Sequence, residues 1–442
     1  MLSPGQVRIA LLQMYHATVP MYNMSFDMLI RGVIDIDLLT RGLNYLLLRH
    51  PVLRTNVFLE GDRLLAGQTT KSITVDRDQD EYTFANTPFD LARDCLIRVL
   101  YLPASSRLVF LFSDLIIDGH TVLHFFNDLS TIYTALASNR VPLFKYIPAP
   151  AVESTGGEKA VDFWRIMALP KDLTLHGFGL PGTGFEEKRI PFVLTGAEFA
   201  RVKAETHRLS VTLFDFLVAK FQLLLARQTG RRRITLDTLF TDHEEKRIGL
   251  YNNVVLLPVD LNLYLLNDMD GFVQQAAGIL HQIKSHIAPL ETLANALGLT
   301  ALPNVRIHFE YANKNTARAF SLGPASLSSN LYENSSNTIR QLLVLNVCEG
   351  IDQVDFYFSY RKACFTDDMI AGFIEEFKQL VLPPPPGMTI GDFIGAERAE
   401  GADGADGLER PVKDKRLIAY AYAGKYPNIS YSAFKAELDS IA

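Results

Sequence analysis

The first half of the chain alternates between hydrophobic patterns typical of helices and of strands. Leucines at helical spacing run through residues 35–49. Two apolar runs, residues 95–102 and 107–114, are joined by a short turn-like segment, which predicts a β-hairpin. Residues 121–138 then carry apolar positions along one face, which predicts an amphipathic helix with Thr121 as its N-cap.

The second half of the chain shows the same mixture. Helical patterns occupy residues 212–230, 270–287 and 367–382. Strand-like runs occupy residues 233–240, 252–266, 305–313, 342–349 and 352–361. Because helices and strands mix in each half, the sequence predicts an α/β (α+β) protein built from two lobes.

Two segments read as linkers, and they suggest where the lobes end. Residues 141–159 are rich in proline, glycine and small side chains, and residues 395–410 consist largely of glycine, alanine and acids. From Asp414 onward the pattern predicts one strand and one short helix, too little to bury a core of its own. We therefore expect the lobes to fold without this tail. The predicted units are an N-terminal lobe (1–160), a C-terminal lobe (161–394), and a linker with tail (395–442).

Composition narrows the functional classes. The chain has 442 residues, of which 48% are hydrophobic and 21% charged, so a sizeable core can form. A net charge of −6 argues against nucleic acid as a partner. The three cysteines suggest a reducing compartment without a disulfide framework. No signal peptide and no apolar run of membrane-spanning length is present, so we expect a cytoplasmic protein without a membrane partner.

Common cofactor motifs are missing from the sequence. We find no phosphate-binding loop, no dinucleotide fingerprint, no nucleophile elbow and no zinc-binding helix or paired cysteines. Asp114 and Asp118 are four residues apart, but two carboxylates without a nearby histidine bind metal weakly. We therefore expect no bound metal and no bound cofactor.

Five blocks, in this order, resemble the condensation domains of nonribosomal peptide synthetases over roughly residues 1–395. The stretch "RHPVLRTNVF" is close to the family's RHxxLRTxF, and "SDLIIDG" stands where HHxxxDG belongs. "IGLYNNVVLLPVDL" and "HQIKSHIAPLETLANAL" are similar to two later family blocks, and "LSPGQVRIALLQMYHATVPMYNMSF" is similar to the opening one. The tail from Asp414 resembles a fragment of the small subdomain of an adenylation domain, without that domain's catalytic parts.

The resemblance implies a fold and a reaction. The family fold is a V-shaped pseudo-dimer of two chloramphenicol-acetyltransferase-like lobes with a tunnel between them. An acyl donor enters on the 4'-phosphopantetheine arm of an acyl or peptidyl carrier protein, and an acceptor amine enters from the other side. Attack of the amine on the thioester gives an amide. The phosphopantetheine arm is thus a substrate carrier belonging to a partner.

The motif block departs from the family pattern at its histidines. Asp114 occupies the position of the catalytic histidine and Ser113 that of the preceding one, whereas Asp118 and Gly119 are retained. The resemblance implies that Asp118 is structural and pairs with an arginine, for which Arg54 is the candidate.

Further residues are expected at the tunnel. Asn253 matches a family asparagine near the crossing between the lobes, and we place it along the tunnel with Ser113 and His308. His120 is a candidate partner for a nucleophile, or a packed or surface histidine.

One interpretation keeps the chemistry at Asp114. Holding a thioester and an amine together can supply roughly 7–11 kcal/mol of the barrier, whereas a general base adds only about 10²–10⁴-fold. Loss of the histidine therefore slows such an enzyme without abolishing catalysis. Asp114 is a useful base only if burial raises its pKa; otherwise it binds a group of the acceptor.

A second interpretation uses Cys95. If Leu102 faces Arg107 across the predicted hairpin, Cys95 faces Asp114. Its thiol would then form an acyl-enzyme, with His120 or His308 as the thiolate's partner. A slip of one residue sends Cys95 to the other face, and a small buried hydrophobe is the alternative.

A third interpretation is a catalytically silent platform that docks a carrier protein and recruits a tailoring enzyme. We favour the enzyme: amide formation from a carrier-bound acyl or aminoacyl donor and a small amine in a natural-product, antibiotic pathway. The chain ends without a carrier domain, so we expect the donor on a separate carrier. Free-standing relatives include enzymes that condense the amino sugar of lincosamide antibiotics.

Overall fold

A computed structural model describes residues 2–142, 157–241, 247–311, 319–329, 338–382, 387–395 and 414–441. The linkers predicted at 141–159 and 395–410 lie mostly outside these residues. Helices and strands are numbered below in chain order within the described ranges.

The helices and strands follow the predicted mixture in both halves. α-Helices lie at Pro4–Tyr15 (α1), Ile36–Arg49 (α2), Glu81–Asn86 (α3), Val122–Ala137 (α4), Glu158–Ile166 (α5), Gly196–Leu209 (α6), Leu213–Thr229 (α7), Met269–Lys284 (α8), Leu290–Leu297 (α9), Asp367–Val381 (α10), Ile390–Ile394 (α11), Lys415–Ala423 (α12) and Tyr431–Asp439 (α13). Strands lie at Asn23–Arg31 (β1), Thr55–Glu60 (β2), Arg63–Gln68 (β3), Val75–Asp76 (β4), Ile97–Leu102 (β5), Arg107–Ser113 (β6), Glu187–Thr195 (β7), Arg233–Phe240 (β8), Asn253–Asp260 (β9), Val305–Tyr311 (β10), Ala319–Leu322 (β11), Ala325–Ser329 (β12), Leu343–Glu349 (β13) and Gln353–Arg361 (β14).

The strands form one large sheet in each half and a small hairpin of β2 and β3. The first sheet has the order β11-β12-β1-β6-β5-β4, and the second has the order β7-β14-β13-β10-β8-β9. Strand β12 pairs antiparallel with β1, where Met28 lies opposite Ser329. The second half of the chain therefore contributes a hairpin to the first sheet, a long-range pairing that local patterns do not reveal.

Strand β6 lies in the centre of the first sheet and leads directly to the motif. The predicted hairpin is confirmed, with Leu102 opposite Arg107 and Ile97 opposite Phe112. Residues 108–112 are fully buried, as expected for a central strand covered on both faces. Ser113 is the last residue of β6, and Asp114 follows it directly. The buried strand thus fixes the position of Asp114.

Two hydrophobic cores stabilise the halves. The first packs α2 and α4 against the first sheet, and the second surrounds α7. Among the described residues no single helix is long and apolar enough to cross a membrane. Helices α6 and α7 together meet that test by length and composition alone, and they are bent by 101°.

The C-terminal tail differs from its predicted structure. It forms two helices, α12 and α13, where the sequence suggested a strand followed by a helix. Leu417 and Tyr420 of α12 join the second core, whereas Ile418 and Ala419 join the first. A helix buried on two sides is apolar on both, so its pattern lacks a single hydrophobic face and resembles that of a strand.

Candidate functional site between the two halves

Asp114 lies at the junction of the two halves. Its backbone N–H donates to the carbonyl oxygen of Tyr22 at 2.9 Å, which continues the pairing of β6 with β1. Its side chain is 19% exposed, and Oδ2 accepts a hydrogen bond from Nη2 of Arg340 at 3.1 Å. Arg340 comes shortly before β13, and its guanidinium lies over the ring of Tyr22, 4.6 Å from the ring centroid.

Burial sets the electrostatics of this carboxylate. Removal from water raises the pKa of Asp114, although the nearby guanidiniums of Arg340 and Arg8 favour the charged form. Burial alone would lower the pKa of Arg340, but the charge of Asp114 and the interactions with Tyr22 together raise that pKa, so Arg340 remains charged. A carboxylate with a raised pKa is a better general base than an ordinary aspartate.

A second ion pair joins the halves beside Asp114. Nε of Arg8, on α1, donates to Oε1 of Glu291, on α9, at 2.9 Å, and both side chains are buried. The guanidinium of Arg8 also lies over the ring of Tyr420 on α12, 4.5 Å from its centroid. Sequence reasoning missed Arg8. The available signal was one charged residue inside the otherwise apolar run that begins at Val7.

Charged side chains of the second sheet extend this cluster. Nε of Arg306 pairs with Oδ1 of Asp237, and Nε2 of Gln341 donates to the other carboxylate oxygen at 3.1 Å. Arg361 binds the backbone that carries Arg340: it donates to the carbonyl oxygen of Arg340 and, at 3.0 Å, to that of Gln341. These contacts hold the Arg340 segment in place opposite Asp114.

Asp118 is structural, but its predicted pairing with Arg54 is wrong. The Asp118 carboxylate accepts backbone N–H bonds from Thr121 at 2.8 Å, His120 at 3.1 Å and Tyr251 at 2.8 Å. No ion pair joins it to Arg54 in the described part of the chain, where Nε of Arg54 is buried without a hydrogen-bond partner. The turn bends back so that its own backbone N–H groups, together with that of Tyr251, satisfy the carboxylate.

The same turn binds the crossing segment from the second half. The hydroxyl of Thr121 donates to the carbonyl oxygen of Gly249 at 2.7 Å, so it ties the halves together and does not cap α4. At Gly249 an added Cβ would lie 2.8 Å from the Tyr251 ring, so the close turn requires glycine there. At the motif residue Gly119 an added Cβ would meet no atom within 4 Å.

Cys95 lies in a setting typical of a core cysteine. The register expected from the hairpin holds up to Leu96, whose carbonyl oxygen accepts from the N–H of Ser113 at 3.0 Å. Cys95 precedes β5, is 8% exposed and belongs to the first core. Burial raises the pKa of its thiol, and the charged groups acting on it are Asp94 and Lys71. These surroundings disfavour a thiolate and do not include Asp114.

The remaining candidates occupy separate places. His120 is exposed, with its ring 6.0 Å from and perpendicular to that of His124. Ser113 is buried, and its hydroxyl accepts from the N–H of Leu115 at 3.3 Å, so it shapes the turn.

Asn253 and His308 lie on strands of the second sheet. Asn253 begins β9, opposite Phe240, and is half-buried. His308 is half-buried on β10, two residues beyond Arg306 and therefore on the same face of the strand. The charge of Arg306 acts on Asp114. Of the predicted residues, His308 thus shares a face with the cluster at Asp114, whereas Cys95 interacts with other charged groups.

Metal ligands do not assemble here. Within the ranges that the structure describes, no group of three or more histidine, cysteine, aspartate or glutamate side chains could hold a metal ion.

Comparison with known proteins identifies the family. The profile of the Condensation domain family matches residues 1–383. The chain therefore belongs to the condensation-domain family, whose members form amide bonds in nonribosomal peptide synthetases.

Relatives and solved structures agree with this assignment. Surfactin synthase subunit 2 of Bacillus subtilis (strain 168) is 24% identical over 413 residues, covering 86% of this chain and 11% of that protein. The chain thus spans about a tenth of the length of this curated relative. The X-domain from teicoplanin biosynthesis superposes with a TM-score of 0.73 at 17% identity, covering 88% of this chain and 96% of that one.

A further solved structure supports the fold. The starter condensation domain of rhizomide synthetase superposes with a TM-score of 0.67 at 17% identity, covering 86% of this chain and 95% of that one. The predicted fold, two lobes of the chloramphenicol-acetyltransferase type, is confirmed. We refer to the halves as lobes from here on.

Proposed function

We propose that this chain condenses an acyl thioester with an amine to give an amide, and that Asp114 serves in place of the family's histidine. The observation that carries the proposal is the position of this carboxylate. Asp114 follows a rigid central strand, lies at the junction of the lobes, and is held by Arg340. Burial raises its pKa, which is the condition for a useful carboxylate base.

In the proposed reaction the amine nitrogen attacks the thioester carbonyl, so that a C–N bond forms and the C–S bond breaks. The Asp114 carboxylate accepts a proton from the attacking nitrogen and returns it to the leaving sulfur, which departs as the thiol. Positioning supplies most of the acceleration, roughly 7–11 kcal/mol, because the thioester is already activated. The base adds about 10²–10⁴-fold. Arg340 keeps the carboxylate directed into the junction.

The proposal also names the partners. The donor is an acyl or aminoacyl group on the 4'-phosphopantetheine arm of an acyl or peptidyl carrier protein, and the acceptor is a small amine. The similarity to surfactin synthase subunit 2 supports a role in nonribosomal peptide synthesis. We place this role in a natural-product, antibiotic pathway of the cytoplasm as part of the proposal. The pantetheine arm enters as part of the substrate, so the protein needs no resident cofactor.

The test is amide formation from defined substrates. The protein is mixed with a panel of acyl- and aminoacyl-pantetheine thioesters and small amines, and the amide is measured by liquid chromatography and mass spectrometry. We expect wild type to form an amide and Asp114→Asn to form it about 10²–10⁴-fold more slowly. Asp352→Asn, which changes an exposed aspartate, is the matched control and should equal wild type. Equal rates for Asp114→Asn and wild type would remove Asp114 from the reaction.

Intact-protein mass spectrometry on the same mixtures tests the cysteine mechanism. We expect no acyl adduct, because the Cys95 thiol is buried and its pKa is raised. An added acyl mass that disappears in Cys95→Ala would instead establish an acyl-enzyme at that residue.

The ion pair between Asp114 and Arg340 also favours a second candidate, the catalytically silent platform, because it neutralises the group at the catalytic position. A platform would bind a holo carrier protein while forming no amide from any donor and amine in the panel. If the protein binds the carrier but forms no amide, the proposed enzymatic function is wrong and the platform function takes its place.

A further inference from the structure

Helix α12 lies between the lobes and packs on both. Leu417 and Tyr420 belong to the core of the second lobe, whereas Ile418 and Ala419 belong to that of the first. The helix packs against α1 on one side and α9 on the other. It therefore fills the space between the two helices that the Arg8–Glu291 ion pair bridges.

Polar contacts fasten the tail to each lobe. On the second lobe, Nη2 of Arg416 donates to the carbonyl oxygen of Leu302 at 3.2 Å. On the first lobe, the N–H of Ser432 donates to Oδ1 of Asp62 at 2.6 Å. The tail is thus attached to both lobes at once, and its position depends on their separation.

Tyr420 extends from α12 into the polar cluster beside Asp114. Its side chain is 6% exposed, and its ring lies under the Arg8 guanidinium at 4.5 Å. The charges of Arg8 and Arg306 act on Tyr420, and the same two charges act on Asp114. Tyr420 and Asp114 therefore share two arginine neighbours, and the tyrosine ring borders the candidate site on its α1–α9 side.

Helix α12, which carries Tyr420, lies outside the part of the chain that the family profile matches. The Condensation domain profile ends at residue 383, and α12 begins at Lys415. The helix is an addition placed where the two lobes meet.

We propose that α12 closes the α1–α9 side of the site, and that the Tyr420 ring excludes an acceptor held on a second pantetheine arm. The acceptor is then a free small amine. This inference rests on the proposed function, and it adds the residue that selects between a free and a carrier-held acceptor. In this proposal the buried Tyr420 ring blocks a long arm sterically on that side, whereas a small amine does not have to pass the ring.

The test compares one amine in two forms. Single-turnover amide formation is measured with the pantetheine thioester panel as donor, and with glycinamide or glycyl-aminopantetheine as acceptor. The second acceptor presents the same glycyl amine on a stable pantetheine arm. The proteins are wild type, Tyr420→Ala, Tyr420→Leu and Tyr422→Ala. Tyr422 is the matched control, because it lies on the same helix but packs against Phe434 of α13.

We expect wild type to use glycinamide at least about tenfold faster than glycyl-aminopantetheine. Tyr420→Ala should bring the two rates together, and Tyr422→Ala should keep the wild-type ratio. Tyr420→Leu retains apolar packing in a smaller side chain, so it gives the same direction of change if Tyr420→Ala fails to fold. Equal use of both acceptors by wild type, or an unchanged ratio in both folded Tyr420 variants, would overturn the proposal.

Hydrogen exchange of the full chain separates this inference from the proposed function. The amides of residues 418–423 should exchange slowly in wild type, because α12 is buried between the lobes. Rapid exchange of these amides would overturn the proposal that α12 closes the α1–α9 side of the site, even if amide is formed. Slow exchange with no amide from either acceptor in any protein would instead overturn the proposed function, and the acceptor restriction with it.

Discussion

At the scale of single residues, the site depends on how a carboxylate can do the work of an imidazole. Histidine has an ordinary pKa near 6.5, whereas that of aspartate is near 3.9, so an exposed aspartate is a poor base at neutral pH. Burial raises the pKa of Asp114, and the Arg340 and Arg8 guanidiniums limit that rise. The balance keeps the carboxylate available for a proton while the ion pair fixes its direction.

Lys220 gives a prediction that concerns stability alone. It is 2% exposed on α7, where burial lowers its pKa to about 8 even though Glu205 and Asp270 favour its charge. The unfolded chain has the ordinary value of 10.5, so below about pH 8 the folded state carries the full cost of a buried charge. That cost corresponds to about 3 kcal/mol and disappears as the pH rises from about 8 to 10.5.

Lys220→Met should therefore raise the free energy of unfolding by about 2–3 kcal/mol at pH 7, with a smaller gain at each step towards pH 10.5. Urea unfolding across this pH range measures it, and Lys159→Met on an exposed lysine is the control. A Lys220→Met variant that is less stable than wild type at pH 7, or a gain in unfolding free energy that does not depend on pH, would show that Lys220 does not carry the cost of a buried charge.

At the scale of elements, the motif turn acts as a latch between the lobes. Asp118 and Thr121 bind the backbone of Tyr251 and Gly249, which lie on the crossing segment from the second lobe. This latch keeps the carboxyl end of β6, and with it Asp114, in register with the other lobe. The backbone hydrogen bonds of Asp118 give the retained aspartate of the motif a role in folding.

A double-mutant cycle tests this latch. Asp118→Ala leaves buried N–H groups without their charged acceptor and should cost about 2–4 kcal/mol of unfolding free energy. Its coupling with Arg54→Ala should stay below about 0.5 kcal/mol, because the two side chains form no ion pair, whereas its coupling with Thr121→Val should be larger. Denaturant unfolding of the single and double variants provides the values. A coupling energy of about 1 kcal/mol or more between Asp118 and Arg54 would indicate that the two side chains do form an ion pair.

At the scale of the whole molecule, the tail joins the two lobes. Helices α12 and α13 add apolar side chains to both cores, including Leu417 in one and Ile418, Phe434 and Leu438 in the other. On the α1–α9 side, the tail therefore forms part of the contact between the lobes. Their separation depends in part on this segment.

Deletion of residues 396–442 should lower the stability of the remaining lobes. Each large apolar side chain taken from the cores removes about 1.5–3 kcal/mol, and Arg8 loses the ring that covers it. Thermal melting should show a lower melting temperature than wild type, and a hydrophobic dye should bind the exposed faces of α1 and α9. An unchanged melting temperature would support the expectation from sequence that the lobes do not need the tail.

Local features of the sequence predict part of this architecture. The hairpin register at Leu102 and Arg107 follows from a short turn between two apolar runs, and the family blocks give the fold. The pairing of β12 with β1 joins residues about 300 positions apart, and no local pattern encodes it. The tail departs from its predicted strand because a helix buried on both sides lacks the single hydrophobic face that predicts a helix.

The site was less predictable than the fold. The replacement at Asp114 is visible in the sequence, but its partner Arg340 comes from the other lobe and lies 226 positions away. Arg54 lies in one of the blocks that resemble the family, whereas the Asp118 carboxylate is satisfied by backbone groups that carry no sequence signal. Partner choice within the site is decided by tertiary packing.

The measurement that tests the central claim most directly is the pH dependence of single-turnover amide formation by wild type and Asp114→Asn. The acceptor titrates identically in both series, so the difference between them isolates Asp114. We predict that the wild-type rate rises with pH through a group whose pKa lies above the ordinary aspartate range. Asp114→Asn should lose that rise and be slower by about 10²–10⁴-fold on the plateau. Superimposable profiles for the two proteins would contradict the account.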